Sequence, residues 1–216
     1  MSRPVVVFDL DGTLVDSAPG IARVLDAMRA ERGMPPCALD DVRQWIGLGA
    51  PALIGAALEV DATDIAPALA DFRARYGRTP TPRVDMYAGT EAALCRLRAS
   101  GARLGVCSNK PHALTEKVLT DLGIRALFDG VAGGDAVAAC KPDPMHLNET
   151  LLRMGCAGAP FVFVGDSLID ADAADAAGAR FLWVAYGYGA AADLAGRGER
   201  VDAADEIGDK VLGQFA

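Results

Sequence analysis

The sequence lacks the features that mark several classes of protein. Its cysteines form no Cys-x-x-Cys pair and are odd in number: Cys37, Cys95, Cys107, Cys140 and Cys156. A disulfide framework and a zinc site are therefore not expected, and reduced thiols fit better. No apolar run is long enough to span a bilayer. The apolar run Val5–Phe8 is also too short for a secretory signal, so we expect a mature cytoplasmic protein without membrane contact.

Positive charge is also scarce. The 216 residues carry 21 Lys and Arg against 29 Asp and Glu, a net charge of −8. Nucleic acids and anionic membranes require a basic surface, so neither is an expected partner. The two histidines have no partners at metal-ligand spacing. A small anionic substrate then needs a locally placed cation, and two of the four lysines, Lys110 and Lys141, lie in the motifs described below.

Short apolar segments alternate with helical patterns through most of the chain. Four segments are predicted strands: Val5–Phe8, Arg103–Cys107, Phe161–Val164 and Phe181–Val184. Continuous apolar strands separated by helices predict an α/β fold with a Rossmann-like parallel sheet and helices on both faces. Residues 17–82 show helical periodicity alone. We therefore predict a core domain of residues 1–16 and 83–216 with an inserted α-helical cap, 17–82.

The first chemical motif is Asp9-Leu10-Asp11-Gly12-Thr13, which directly follows the first predicted strand. Ligands bind beyond the carboxyl ends of parallel strands, and an extended backbone points Asp9 and Asp11 to the same side. Two neighbouring carboxylates can have different roles, one as nucleophile and metal ligand and the other as general acid. The alternative is a strand that ends in an ordinary Asp-Gly turn.

Polar residues also follow the second strand and precede a later helix. In the motif Ser108-Asn109-Lys110-Pro111, the first two residues offer a hydroxyl and amides to a phosphoryl oxygen, although a helix cap is the alternative. Lys141, fixed by Pro142, can neutralise a nucleophilic carboxylate and a phosphoryl group if it is buried. The alternative is an exposed lysine in a turn.

A third acidic motif, Gly165-Asp166-Ser167-x-x-Asp170, follows the third strand. Magnesium prefers one or two carboxylates with further oxygen ligands. Asp9, Asp166 and the main-chain carbonyl of Asp11 can supply them, and Asp170 can orient bound water or Lys141. A helix cap is the alternative here too. Chance does not readily place polar clusters at three strand ends together with a lysine.

In this order the motifs resemble the haloacid dehalogenase superfamily over nearly the whole chain, including a helical cap inserted after the first motif. The resemblance implies a magnesium-dependent phosphatase that acts on small anionic phosphate esters through an aspartyl-phosphate. It also implies roles for the matching residues: nucleophile Asp9, acid Asp11, phosphoryl-binding Ser108 with Asn109 and Thr13, charge stabiliser Lys141, metal ligands Asp9, Asp11 and Asp166, and supporting acid Asp170.

Within the superfamily, a dehalogenase needs no acid at position 11, so the presence of Asp11 favours a phosphatase. A phosphonate hydrolase needs a cap lysine, and residues 17–82 contain none. The sequence is most similar to bacterial phosphoglycolate phosphatases. Asp143 stands where that group commonly has histidine, and Gly189 where asparagine is usual. A phosphatase or mutase for a sugar phosphate, nucleotide or pyrophosphate stays open.

The predicted cap contains one candidate for recognising a carboxylate. Arg43 and the amides around Gly49 can bind a small carboxylate, although a surface arginine is an equal alternative. A non-catalytic phosphate-binding or switch protein on the same scaffold is a remote alternative, because such a protein does not need all four of Asp9, Asp11, Lys141 and Asp166. Monomer and homodimer both fit the sequence.

Overall fold

A parallel β-sheet lies at the centre of the computed structural model, which describes residues 3–215. Its strands are β1 Val5–Phe8, β2 Arg103–Ser108, β3 Gly130–Gly133, β4 Val162–Gly165, β5 Arg180–Val184 and β6 Glu199–Val201. They lie in the order β3-β2-β1-β4-β5-β6, and all neighbouring strands run parallel. The predicted α/β fold with a parallel sheet is confirmed.

The helices are α1 Ala18–Ala30, α2 Leu39–Gly47, α3 Ala50–Leu58, α4 Ala62–Arg78, α5 Thr90–Ala99, α6 His112–Asp121, α7 Pro144–Arg153, α8 Leu168–Ala177, α9 Ala191–Leu194 and α10 Ile207–Gly213. Within residues 3–215, none of these helices combines the length and the apolar character needed to cross a bilayer.

The strand order reverses beside β1, and this reversal determines where a ligand can bind. From β1 the chain adds β2 and β3 on one side, then returns to place β4 and β5 on the other. Right-handed crossovers in opposite directions put helices on opposite faces of the sheet. They also leave a crevice beyond the carboxyl ends of β1 and β4, where open α/β sheets bind their ligands.

The two central strands consist of buried apolar residues, as a sheet covered on both faces requires. In the β1–β4 register, Val6 lies beside Val162 and Phe8 beside Val164. The main-chain N–H of Asp9 continues this ladder by donating to the carbonyl of Val164 at 2.8 Å. This main-chain hydrogen bond therefore holds the first motif at the end of β4, independently of its side chains.

Two strands, β3 and β6, were not predicted from the sequence. β3 reads Gly-Val-Ala-Gly, with no bulky side chain at either end. A Cβ at Gly130 would come within 2.8 Å of the main-chain nitrogen of Met154, so close packing against the end of α7 requires glycine where strand propensity favours larger residues. β6 has three residues, and the first two are exposed.

The chain divides into two compact units, one formed by the chain up to Asp16 with the chain from Met86 onward, and the other by Ser17–Asp85. The second unit contains α1 to α4. Inside it, the guanidinium of the buried Arg29 donates to the carbonyls of Pro35 and Ala57 and so ties α1 to the segments that follow. The predicted cap range lies within this unit, and its role as a cap stays a prediction.

Two leucine substitutions test the core. Leu104 on β2 is completely buried, whereas Leu152 on α7 is 61% exposed. We expect Leu104→Ala to lower the free energy of unfolding by about 2–5 kcal/mol, because it removes buried methyl groups and leaves a cavity. Leu152→Ala should stay within about 0.5 kcal/mol of the wild type. Urea unfolding followed by circular dichroism measures both, and equal losses would contradict the assigned core.

Candidate active site

Three strand ends of the sheet bring the predicted chemical residues together. Asp9 directly follows β1, Ser108 is the last residue of β2, and Asp166 directly follows β4. All three side chains are buried. Because these strands are parallel and adjacent, their carboxyl ends meet at the same edge of the sheet.

Lys141 connects two of the acidic residues. Its Nζ donates to Oδ1 of Asp9 and to Oδ1 of Asp170, in both cases at 2.7 Å. The ammonium also lies 5.3 Å from the centre of the Phe163 ring. The lysine side chain is 3% exposed, so the alternative of a lysine in an exposed turn is ruled out.

The main chain at Lys141 is fixed from two sides. Nδ2 of Asn109 donates to the carbonyl of Lys141 at 3.0 Å, and the N–H of Lys141 donates to Oδ1 of Asn109 at 3.1 Å. The same N–H approaches Nδ1 of the buried His146 at 3.4 Å. Nε2 of His146 lies 3.1 Å from the carbonyl of Ala132, which makes Nε2 the protonated nitrogen. The Asn109 side chain thus positions Lys141, and a phosphoryl contact of Asn109 stays a prediction.

Asp170 organises the start of α8. Its Oδ2 accepts from the N–H and the hydroxyl of Ser167, at 3.1 and 2.6 Å, and the Ser167 hydroxyl accepts from the N–H of Asp170 at 3.3 Å. This reciprocal pair is a capping box. Asp170 is therefore both a helix-capping residue and a partner of Lys141, and it gives one oxygen to each task.

Asp166 is enclosed by close-packed main chain. Its Oδ2 accepts from the N–H of Tyr188 at 2.6 Å, and its Oδ1 accepts from the Thr13 hydroxyl at 3.4 Å. A Cβ at Gly12, where φ is +84°, would overlap the Asp166 carboxylate, and one at Gly189 would overlap the Asp166 carbonyl. The close approach explains why this chain has glycine at position 189. Thr13 is completely buried, and its contact with the substrate stays a prediction.

The acidic side chains form a compact cluster. Oxygens of Asp9, Asp166 and Asp170 lie within 4.8 Å of one another. Burial raises the pKa of Asp9 to about 7, with Lys141 opposing and Asp170 adding to the rise. Burial also raises the pKa of Asp166 well above its usual range, and the charges of Asp170 and Asp9 raise it further.

The charges of this cluster fit a divalent cation. For Lys141, burial acts to lower the pKa, but the charges of Asp170 and Asp9 outweigh it and raise the pKa above its ordinary value. One ammonium thus faces three carboxylates, which when ionised leave two negative charges unbalanced. Two added positive charges would favour the ionised carboxylates. Oxygen ligands of this kind suit a hard divalent cation.

Asp11 lies outside this cluster and forms an ion pair with a different lysine, Lys110. Nζ of Lys110 donates to both Asp11 carboxylate oxygens, at 2.7 and 2.9 Å. The N–H of Lys110 donates to the Ser108 hydroxyl at 3.3 Å. Pro111 occupies the N-cap position of α6, so Ser108 does not cap that helix. The main-chain carbonyl of Asp11 as a metal ligand stays a prediction.

The two residues predicted in the cap are engaged within the helical unit. Nη1 of Arg43 donates to Asp40 at 2.9 Å, one turn away on α2, and the Arg43 side chain is 36% exposed. The N–H of Gly49 donates to the carbonyl of Ile46 at 3.1 Å. This bond corrects the expectation that the Gly49 amide receives a carboxylate, because its single donor is already used.

Comparison with known proteins identifies the family. Residues 6–184 match the family described as haloacid dehalogenase-like hydrolases. This chain belongs to that family. The resemblance predicted from the motifs is thereby confirmed, and the match extends across the helical unit and through β5.

Several relatives of this hydrolase are named phosphoglycolate phosphatase. A phosphoglycolate phosphatase of Cereibacter sphaeroides is 40% identical over 190 residues, which cover 86% of each chain. One from Yersinia pseudotuberculosis is 39% identical over 188 residues, or 85% of this chain and 81% of its own. A crystal structure described as a predicted phosphoglycolate phosphatase from Haemophilus somnus has a TM-score of 0.83, with 26% identity and full coverage of both chains.

Three residues around the site of this hydrolase had no role in the sequence-based prediction. Lys110 directly follows Ser108 and Asn109, and the run Tyr186-Gly187-Tyr188, which resembles that of phosphoglycolate phosphatases, is the only signal for Tyr188. His146 gave no signal, because a lone histidine on a helix does not reveal that it supports a main chain five residues earlier. Lys110 and Tyr188 contact residues far away in the sequence, and spacing does not show such contacts.

The buried His146 predicts a pH-dependent loss of stability. Burial lowers its pKa to about 4, and the nearby Lys141 charge adds to the effect. The unfolded chain takes up a proton below about pH 6.5, whereas the folded protein does so only near its lowered pKa. His146 therefore stabilises the fold fully above about pH 6.5, and its contribution falls as the pH drops toward the lowered value.

We expect the free energy of unfolding of the wild type to fall between pH 7 and pH 5 by about 1–2 kcal/mol more than that of His146→Gln. Urea titrations at both pH values measure this difference. His112→Gln, at the other histidine, reports any general effect of removing an imidazole. Parallel pH dependence in the wild type and His146→Gln would contradict a buried neutral imidazole.

Proposed function

We propose that this hydrolase is a magnesium-dependent phosphomonoesterase that converts 2-phosphoglycolate to glycolate and phosphate. The observation that carries the proposal is the buried Lys141 ammonium held between Asp9 and Asp170, with Asp166 beside them. The relatives named phosphoglycolate phosphatase, at up to 40% identity, support the choice of substrate. Cytoplasmic location and a monomeric or homodimeric state stay predictions from the sequence.

In the proposed first step, a carboxylate oxygen of Asp9 attacks the phosphorus atom. The bond from phosphorus to the ester oxygen breaks, and an aspartyl-phosphate forms. Lys141 fixes Asp9 by holding its Oδ1 at 2.7 Å, and its ammonium meets negative charge on the phosphoryl oxygens. Ser108 would bind one of those oxygens through its hydroxyl.

Asp11 serves the leaving group and then the water. In its acid form it gives its proton to the departing glycolate oxygen. As a carboxylate it then takes a proton from the water that attacks phosphorus, the bond from phosphorus to the Asp9 oxygen breaks, and phosphate leaves with the Asp9 carboxylate restored. Both Asp11 oxygens accept from Lys110 in this structure, which is the arrangement of a carboxylate.

Asp9 and Asp166 would hold the magnesium ion with their side chains, and Asp11 would do so with its main-chain carbonyl. Asp170 would act as the supporting acid, since its Oδ1 accepts from Lys141 and its Oδ2 accepts from Ser167 at the start of α8. When bound, magnesium would supply positive charge against the carboxylates and the phosphoryl oxygens. Thr13 and the N–H of Tyr188 would keep Asp166 oriented. Residues 17–82 would act as a cap that selects the leaving group.

The metal-binding part of the proposal predicts that Asp166→Asn raises the melting temperature of the metal-free protein but removes the stabilisation by magnesium. Without metal, the variant should melt a few degrees higher than the wild type, because a buried like charge is removed. Millimolar magnesium should raise the melting temperature of the wild type but have little effect on that of Asp166→Asn.

Asp172→Asn, on α8 six residues after Asp166, is the control, because the Asp172 side chain is 47% exposed and paired with Arg197. It should keep the full magnesium shift. If Asp166→Asn also keeps that shift in differential scanning fluorimetry, the ion does not bind at Asp166.

The catalytic part predicts a ranking of substrates. We expect kcat/KM for 2-phosphoglycolate to exceed that for sugar phosphates, nucleotides, phosphoserine and pyrophosphate by about tenfold or more. A chelator should abolish turnover, and Asp9→Asn should lower kcat by about a thousandfold or more, because the nucleophile is lost.

Phosphate release from the purified protein measures these rates, with Asp172→Asn as the control that stays active. If another ester leads, the mechanism stands and the substrate changes. Undiminished activity in Asp9→Asn would contradict the mechanism itself.

A further inference from the structure

We propose that Lys110 recognises a carboxylate on the leaving group, so that the site selects phosphate monoesters whose alcohol carries an anionic group next to the ester oxygen. This inference rests on the proposed phosphatase function and adds a residue that determines specificity. It places recognition of the carboxylate in the α/β unit rather than at Arg43 or Gly49.

The four lysines of the chain fall into two pairs with different surroundings. Lys117 and Lys210 form ion pairs near the surface, with Asp121 at 2.6 Å and Glu199 at 3.0 Å. The side chains of Lys110 and Lys141 are only 8% and 3% exposed. Removing an ammonium from water is costly, so a second buried lysine beside the acidic site calls for a function.

Lys110 and Lys141 contact different carboxylates. Lys141 holds Asp9, the proposed nucleophile, and Asp170. Lys110 instead holds both oxygens of Asp11, the residue proposed to contact the ester oxygen. The two ammonium groups therefore serve opposite ends of the substrate, Lys141 on the phosphoryl side and Lys110 on the leaving-group side.

The position of the Lys110 main chain is well defined. Its carbonyl accepts from the N–H of Gly134 at 2.9 Å and from the Thr115 hydroxyl at 3.3 Å, and its N–H donates to Ser108. The side chain thus begins from a fixed point at the end of β2. Such a base lets its ammonium recognise a charge at one place rather than over a wide region.

The distances suit a carboxylate close to the ester bond. Asp11 must lie within one hydrogen bond of the ester oxygen to protonate it, and Nζ of Lys110 lies 2.7 Å from Asp11. Two such contacts end to end put Nζ within about 6 Å of the ester oxygen. In 2-phosphoglycolate one methylene carbon separates that oxygen from the carboxylate, so the carboxylate falls inside this range.

The charges around Lys110 also favour its recognition of a carboxylate. A carboxylate that enters this site meets the negative charge of Asp9, Asp166 and Asp170, and this repulsion opposes binding. The ammonium of Lys110 on the leaving-group side offsets it. Because lysine has three N–H donors on a flexible stem, Lys110 can keep one Asp11 oxygen while it turns to a second acceptor. An alcohol without charge gains nothing from this arrangement.

A matched pair of substrates isolates the effect. Ethyl phosphate has the same ester as 2-phosphoglycolate but ends in a methyl group where the latter has a carboxylate. The specificity ratio is kcat/KM for 2-phosphoglycolate divided by that for ethyl phosphate. In Lys110→Met, which keeps length and removes charge, we expect this ratio to fall about 10- to 100-fold, with a rise in KM for 2-phosphoglycolate.

Three further variants keep the test decisive. Lys110→Arg retains the charge and should recover part of the ratio, whereas Lys110→Gln removes the charge and replaces Lys110→Met if the latter does not fold by circular dichroism. Lys210→Met removes a surface lysine and should leave the ratio at its wild-type value. Inhibition by glycolate gives an independent measure, and its inhibition constant should rise in Lys110→Met.

The outcomes separate this inference from the proposed function. If the wild type cleaves 2-phosphoglycolate but the ratio changes less than about twofold in Lys110→Met, Lys110 acts through Asp11 alone and the inference is overturned. A wild type that cleaves both esters equally well overturns it too, while the phosphatase function stands. If the wild type cleaves neither ester, the choice of substrate and this inference fail together, and turnover of another ester then decides whether the phosphatase class survives.

Discussion

The buried ammonium of Lys141 is the interaction on which the rest of the active site depends. An ammonium this far from water is stable only when carboxylates and hydrogen bonds surround it. Asp9 and Asp170 supply the carboxylates, while Asn109 and His146 fix the main chain from which the side chain extends. Because these partners follow different strands or begin different helices, the site exists only when the sheet is complete.

The same site contains more negative charge than its lysine can balance. Asp9, Asp166 and Asp170 lie together around one ammonium, and burial raises the pKa values of Asp9 and Asp166. A sequence selected for stability alone would replace one of these acids. Active sites commonly retain such arrangements because the groups that destabilise the empty protein are those that bind the metal and react.

The sequence predicted the parts of this protein that depend on neighbouring residues. Apolar segments followed at once by acidic residues predicted β1, β4 and the strand-end position of Asp9 and Asp166. The prediction from the sequence missed β3, where close packing against the end of α7 requires glycine at position 130. The role of Asn109 was also missed, since its partner Lys141 lies 32 residues further along the chain. Contacts of this kind follow from the three-dimensional fold rather than from local patterns.

The choice of lysine rather than arginine follows from the space around these contacts. Nζ of Lys141 reaches two carboxylates at 2.7 Å and lies 5.3 Å from the centre of the Phe163 ring. A guanidinium is a wide planar fork that suits one carboxylate in two-point contact, whereas an ammonium is a compact charge that can bond in three directions. Lys110 has the same geometric advantage next to Asp11. In Arg43, the guanidinium instead pairs with Asp40 on its own helix. At the candidate site, the compact Lys141 ammonium thus lies where two buried carboxylates share one cation.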